Sequence, residues 1–396
     1  MNKMFPIETP CYSIDYNELE YNVNSLKNAF SKHWNGPLCI GYSVKTNHLK
    51  WILEYMKQKG IYAEVVSSDE YKLAELLGFN PTEIIFNGPN KTNGTLKYAI
   101  NNNGIVNVDS FSELNQLTSF EKVKPPKIGL RVNFDLESEC PGESAMGYEP
   151  SRFGFCLENG SFESALKICH DSNIIVSGLH MHQSTKTRSD KVFSALARKA
   201  VECIENYKLQ ESIEYIDIGG GFFGGRNVSD KPSFEEYAKV ICGELAKAIN
   251  TERTMLIIEP GASLVSTPIS YFTRVVDIKE VRGSKIVTVD GSLLHVNPFF
   301  VKRNLQYKVI KDESLQLLDY DQIICGSTCM ENDRFFCMEN GPELKIGDVI
   351  EVEKCGSYSM CYNSCFIKLP PAVFVKKNNY YYKVREAWTP EAIAKK

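Results

Sequence analysis

The chain has 396 residues, 43% of them apolar and 24% charged, with a formal net charge of -4. This is the composition of a soluble globular protein, and 45 Lys and Arg against 49 Asp and Glu leave no cationic excess for nucleic acid or an anionic membrane. No apolar run is long enough to span a bilayer, and Met1-Asn2-Lys3-Met4-Phe5-Pro6 lacks the apolar core of a signal peptide, so a cytoplasmic location is expected.

In chain order, Tyr12-Ser13-Ile14-Asp15 reads as a strand and 16–30 as the helix after it. Short apolar runs then alternate with helical patterns. The runs are 38–44, 62–66, 83–86, 105–108, 128–132, 174–181, 215–218 and 255–258. Among the helices, 67–78 carries Leu73, Leu76 and Leu77 at helical spacing, and 234–249 carries Tyr237, Val240, Ile241 and Leu245. Gly60, Gly78 and Gly104 stand where helices would stop. Eight such strands predict a (β/α)8 barrel; a doubly wound open sheet is the alternative, but no GxGxxG follows the first strand. Beyond Gly261 strands and turns take over, at 269–276, 285–290, 349–354 and 380–384. The expected architecture is α/β: a barrel over 35–265, and a β-rich sandwich or barrel domain over 266–396 joined by residues 1–34.

Thirteen cysteines, an odd number at scattered spacing, argue against a disulfide framework. The CxxxC pairs Cys325/Cys329 and Cys361/Cys365 are wider than zinc knuckles, so no metal is expected. Most of the cysteines are expected to be buried as small apolar residues.

A barrel enzyme builds its site at the C-terminal ends of its strands. The ends here carry Lys45, Glu64, Asn87-Gly88, Asp109, Arg131, His180 with His182, Gly219-Gly220-Gly221 and Glu259-Pro260-Gly261. Ionisable groups at the ends of apolar strands are costly to bury unless paired. Each has a bland reading. A lone lysine can be a strand-end charge, three glycines can be a tight turn, and alternation predicts that only one of His180 and His182 faces the barrel axis. Together they fit one chemistry. A lysine can form a Schiff base, a glycine run after strand seven can cradle a phosphate, a histidine can stack on a pyridine ring, and a carboxylate can keep the ring nitrogen protonated. That set serves pyridoxal 5'-phosphate.

Tyr42-Ser43-Val44-Lys45-Thr46-Asn47 resembles the lysine motif of the fold-type III pyridoxal-phosphate decarboxylases, the family of diaminopimelate, ornithine and arginine decarboxylases. Gly178-Leu179-His180-Met181-His182, Asp217-Ile218-Gly219-Gly220-Gly221-Phe222, Glu259-Pro260-Gly261, Gly326-Ser327-Thr328-Cys329 and Gly356-Ser357-Tyr358 match its later motifs in order. The 63–74 stretch and the HxH pair bring the chain closest to the diaminopimelate branch. The resemblance implies that Lys45 holds the cofactor as a Schiff base, with Glu64 and Arg131 supporting it. It further implies that His182 stacks on the ring, Glu259 faces the ring nitrogen, and Thr185, Gly219, Gly220, Gly221 and Tyr358 hold the phosphate. Cys329 would reprotonate the α-carbon. Cys329 and Tyr358 complete a neighbouring subunit's site in this family, so a homodimer with shared active sites is implied.

The departures bear on the substrate. The family's EPGR is Glu259-Pro260-Gly261-Ala262 here, a second arginine site reads Val296-Asn297-Pro298, and the acid after the reactive cysteine is Met330, with Glu331 one place on. The histidine loop reads Gln183-Ser184-Thr185 where the family has a valine or isoleucine followed by Gly-Ser. Ala262, Asn297 and Glu331 therefore occupy substrate-contacting positions without the usual grips, and Arg188, Arg303 and Lys368 are candidate substitutes. The expected function is decarboxylation of an amino acid or derivative, modified, extended or carrier-bound, in specialised metabolism. The alternatives are a diverged meso-diaminopimelate decarboxylase making L-lysine, and a non-catalytic homologue that binds a partner. A racemase on the same barrel is disfavoured by the Gly326–Cys329 segment.

Overall fold

The computed structural model describes residues 6–119, 125–226, 230–302, 304–310, 317, 320–362, 365–378 and 380–395. Met1–Phe5, read above for a signal peptide, and Arg303 lie outside them. The chain forms two compact units: residues 23–263, and residues 1–22 with 264–396. The first strand is β1 (Cys11–Asp15) and the first helix α1 (Tyr16–His33), so the division falls inside α1. Among the described residues no helix is long and apolar enough to cross a membrane.

In the larger unit the strands are β2 (Leu38–Ser43), β3 (Tyr62–Val65), β4 (Ile84–Phe86), β5 (Ile105–Val108), β6 (Lys127–Asn133), a two-residue β7 (Phe155–Cys156), β8 (Ile175–His180), β9 (Tyr215–Asp217) and β10 (Met255–Ile258). All pair in parallel, in the order β5-β4-β3-β2-β10-β9-β8-β6-β7. The β5–β6 pairing joins the two arms of the sheet, with Asn107 opposite Gly129 and Val108 opposite Leu130. An open doubly wound sheet could not make that pairing, so the fold is an eight-stranded barrel. Parallel strands need long crossovers, and helices such as Ser68–Leu76, Asp190–Asn206 and Phe234–Leu245 supply them. Gly60 and Gly78 end their helices at φ 68° and 84°, but at Gly104 the left-handed residue is the preceding Asn103, at φ 57°.

The barrel interior follows the two-residue period of its strands. One layer is apolar: Cys39, Ile85, Tyr215 and Ile257, with Tyr62, Ile105 and Met255 packed against it. Two residues further along four of these strands stand Glu64, Asn87, Asn107 and Asp217, and Glu259 follows the end of β10. Gly129 and Gly178 make room for the Tyr215 side chain, because a Cβ on Gly129 would lie 2.4 Å from its hydroxyl and one on Gly178 2.1 Å from its ring. The apolar layer is thus a floor beneath a polar one.

In the smaller unit β1 pairs antiparallel with β11 (Ile269–Val281) and parallel with β17 (Ala372–Lys377). Around them lie β12 (Ser284–Val289), β13 (Tyr307–Ile310), β14 (Gln322–Cys325), β15 (Arg334–Met338), β16 (Val349–Val352) and β18 (Tyr380–Arg385) in one mixed sheet. Cys11, Phe272, Val349 and Phe374 form part of its core. His295 is buried here, its Nδ1 2.7 Å from the Tyr271 hydroxyl. Burial lowers this imidazole to about 4. An unfolded histidine titrates near 6.5, so the stability linked to neutral His295 is present above that pH and is lost as pH falls through about 4. Wild-type stability should therefore drop about 2 kcal/mol more between pH 7 and 5 than that of His295→Gln, compared by urea unfolding.

Six of the thirteen cysteines are buried, so the expectation that most would be is not met; Cys329, Cys337 and Cys365 are exposed. Strands β13 to β15 and β17 fall outside the sequence reading.

Candidate active site

The last turn of β2 sets Lys45 in a short 3-10 turn, Val44–Thr46. Its Nζ donates to Glu64 Oε2 at 2.9 Å, and the hydroxyl of Ser43 donates to the same oxygen. Glu64 is almost fully buried, whereas the Lys45 side chain is about a third exposed. The other Glu64 oxygen accepts from Asn87 Nδ2 at 3.1 Å, and the same amide donates to Glu259 Oε1. Asn87 thus ties the carboxylate at the lysine to the carboxylate at the end of β10. Below it, Asn107 Nδ2 donates to Asn87 Oδ1 at 2.9 Å and to Asp217 Oδ2 at 3.0 Å, while the Tyr215 hydroxyl donates to Asn107 Oδ1 at 2.8 Å. Burial and the neighbouring Glu259 hold the Asp217 carboxyl well above its ordinary value. Two crowded carboxyls in a low dielectric do not both ionise.

His180 ends β8 and His182 lies two residues on, a spacing that keeps side chains on one face. Both rings are at the site, 6.2 Å apart and within 10° of parallel. This corrects the expectation that only one would face the axis. Burial, then the Arg131 cation, pushes His180 well below 6.5 and His182 down to about 3, so both are neutral. Arg131 donates to Asp109 Oδ1 and to the His182 carbonyl, each at 3.0 Å. Behind it, Glu113 accepts from Asp109 N at 2.9 Å and pairs at 3.1 Å with Lys91, whose side chain is fully buried. A buried pair broken on one side leaves an uncompensated charge. Lys91→Met should therefore destabilise by about 3–5 kcal/mol in urea unfolding, and adding Glu113→Met should recover much of the loss.

The glycine run has steric reasons of its own. A Cβ on Gly219 would lie 2.4 Å from His182 Cβ, and one on Gly220 2.1 Å from the Glu259 carbonyl oxygen. The Gly219 and Gly220 N–H groups donate to Asp217 Oδ1 and His182 Nδ1, at 2.9 and 3.3 Å. Thr185 Oγ1 accepts from Thr187 N and Arg188 N, which folds its loop back on itself. Ala262 opens the short helix Ala262–Val265 and offers no polar side-chain atom.

The remaining sequence-selected residues lie in the smaller unit. Cys329 is exposed, on the turn after β14. Asp333 braces that turn, accepting from the Thr328 amide and hydroxyl and, with its other oxygen, from Leu293 N at 2.7 Å. Asn297 closes its own loop on Val301, with Nδ2 donating to the carbonyl at 2.8 Å. Glu331 is fully exposed and sits 3.5 Å from Arg334. Tyr358 is partly exposed at φ 53°. Ser43, Asn107 and Asp217 were not selected as site residues from the sequence; their signal was a polar residue at an inward position of an otherwise apolar strand.

These groups fit pyridoxal phosphate. An amine, two carboxylates linked through an amide, and neutral imidazoles converge at the strand ends, and buried His180 leaves both ring nitrogens without a hydrogen-bond partner among the described residues. His180, Asp217 and Glu259 also place ligand atoms within 4.8 Å of one another; hydrogen bonds from Asn107 and Gly219 engage both Asp217 oxygens, and one from Asn87 engages Glu259 Oε1.

Barrel and site together define a parallel-barrel enzyme of the pyridoxal-phosphate class. Residues 17–266 match the family described as pyridoxal-dependent decarboxylase, pyridoxal binding domain, and the chain belongs to that family. Diaminopimelate decarboxylase of Bacillus methanolicus is 29% identical over 383 residues, spanning 93% of this chain and 88% of that protein. The enzyme of that name from Zymomonas mobilis is 27% identical over 370 residues, spanning 91% and 86%. The crystal structure of diaminopimelate decarboxylase from M. jannaschii matches with a TM-score of 0.88 at 24% identity, over 98% of this chain and 92% of that one. The protein is therefore a pyridoxal-phosphate-dependent carboxy-lyase of the ornithine, arginine and diaminopimelate type.

Proposed function

We propose that the chain is a diverged diaminopimelate decarboxylase, releasing carbon dioxide from meso-diaminopimelate to give L-lysine. The names of its relatives support this substrate, and the Lys45–Glu64–Asn87–Glu259 chain of hydrogen bonds carries the chemistry. Pyridoxal phosphate supplies an electron sink for the pair left behind when a carboxylate departs. Lys45 would hold the cofactor, with Glu64 orienting the lysine amine. His182, kept neutral by burial, would face the ring, and Glu259 would face its nitrogen, while Asp217 keeps its own proton. Cys329 would supply the proton to the α-carbon, from a partner subunit in a cytoplasmic homodimer.

A second reading, a modified, extended or carrier-bound amino acid, is favoured by the far-end positions. Ala262 and Met330 carry no charge, and the Asn297 side chain is spent on its own loop. Carbon dioxide release decides between the two. The first reading expects release from meso-diaminopimelate with L-lysine as product. Silence there, with release from an extended or carrier-bound amino acid, would overturn it, and failure to bind the cofactor at all would point to a non-catalytic homologue.

A further inference from the structure

The two buried amides between the carboxyls can face either way, and a group beneath them decides which. Asn87, Asn107, Glu64, Asp217 and Glu259 are all buried, so their polar atoms need partners inside the protein. Asn87 gives both of its N–H bonds to carboxyls, one to Glu64 Oε1 at 3.1 Å and one to Glu259 Oε1. Its oxygen therefore points the other way, where Asn107 Nδ2 donates to it at 2.9 Å. Asn107 gives its second N–H to Asp217 Oδ2 at 3.0 Å, which turns its own oxygen down toward the floor of the barrel. There the Tyr215 hydroxyl of β9 donates to it at 2.8 Å. Every amide hydrogen is used once, and all the bonds run in one direction, from Tyr215 up to Glu64 and Glu259.

Tyr215 belongs to the apolar floor, and among the described residues its hydroxyl bonds only to Asn107. Burial, then the Asp217 and Glu259 carboxyls, pushes that hydroxyl well above 10, so it is a donor at neutral pH. Gly129 is bare where the two side chains meet, because a Cβ there would lie 2.1 Å from Asn107 Oδ1. Without the hydroxyl, Asn107 would keep a buried oxygen with no donor, and turning the amide end for end would relieve it. Asn87 would then have to turn as well, setting its oxygen against two carboxyls. We propose that Tyr215 is a positioning residue for the reaction: by donating to Asn107 from below, it fixes both amides so that Asn87 presents N–H groups to Glu64 and Glu259. The step from amide order to rate rests on the roles proposed above for Glu64 and Glu259.

Tyr215→Phe removes the donor and keeps the ring. In the full-length protein labelled with nitrogen-15 asparagine, the Asn87 side-chain signals are assigned by their loss in Asn87→Asp. Their N–H groups should exchange with solvent at least about tenfold faster in Tyr215→Phe than in the wild type, although Asn87 does not bond to Tyr215. The kcat for carbon dioxide release from meso-diaminopimelate should fall about tenfold with KM unchanged. Ile257→Val, which trims the same floor and removes no hydrogen bond, should lower stability and leave both readouts at wild-type values. Unchanged Asn87 exchange in Tyr215→Phe would overturn the proposal. So would faster exchange with wild-type kcat, or the same two changes in Ile257→Val. A wild type silent on meso-diaminopimelate counts against the proposed substrate alone, and the exchange result still decides the amide order.

Discussion

Lys45→Ala is expected to lose at least about four orders of magnitude of carbon dioxide release, because it removes the amine that anchors the cofactor. The ammonium lies 2.9 Å from Glu64, one of whose oxygens also accepts from Ser43, and its side chain is the one partly exposed member of an otherwise buried group. Truncation opens space at a surface that already meets solvent, so the fold should survive. Glu64 would keep Ser43 and Asn87 as donors. The visible absorption of the bound cofactor should vanish together with activity, while the far-ultraviolet circular dichroism stays as in the wild type. Retained release in this variant would remove the lysine from the chemistry.

Glu259→Gln should lower kcat/KM by about two to four orders of magnitude, the range in which a positioned acid or base contributes. The substitution keeps size and removes charge. It also removes the like-charged neighbour that, with burial, holds the Asp217 carboxyl high, so Asp217 should ionise more readily in the variant. Infrared difference spectra across a pH titration would show this as a new carboxylate band absent from the wild type. A purely structural role for Glu259 would lower stability and activity together without that band. Glu259→Asp should recover part of the rate, because the charge returns at a slightly greater distance.

The sequence carried the barrel well, because a parallel strand buried on both faces is a short apolar run between helices and leaves little ambiguity. All eight barrel strands lie where those runs stand. The smaller unit was harder to read. Tyr307–Ile310 and Arg334–Met338 are four and five residues long and do not alternate polar with apolar, so no pattern stands out, and Gln322–Cys325 has a polar residue at its start that is buried nonetheless. At the site, Lys45, Glu64 and Glu259 were legible because charged groups at strand ends demand a reason. Asn87 was visible as a strand end, but its task was not. That one amide joins two carboxylates depends on β4 lying between β3 and β5 and three strands from β10 around a closed barrel, which no local spacing reports. The histidine pair was misread: residues two apart in a strand share a face, so His180 and His182 belong on the same side.

The claim that Lys45 carries the cofactor is tested most directly by reducing the cofactor-loaded protein with borohydride, digesting it and locating the modified peptide by mass spectrometry. The label should fall on Lys45 alone. A label on another lysine, such as Lys91 or Lys231, or no covalent label in a protein that releases carbon dioxide, would contradict the account.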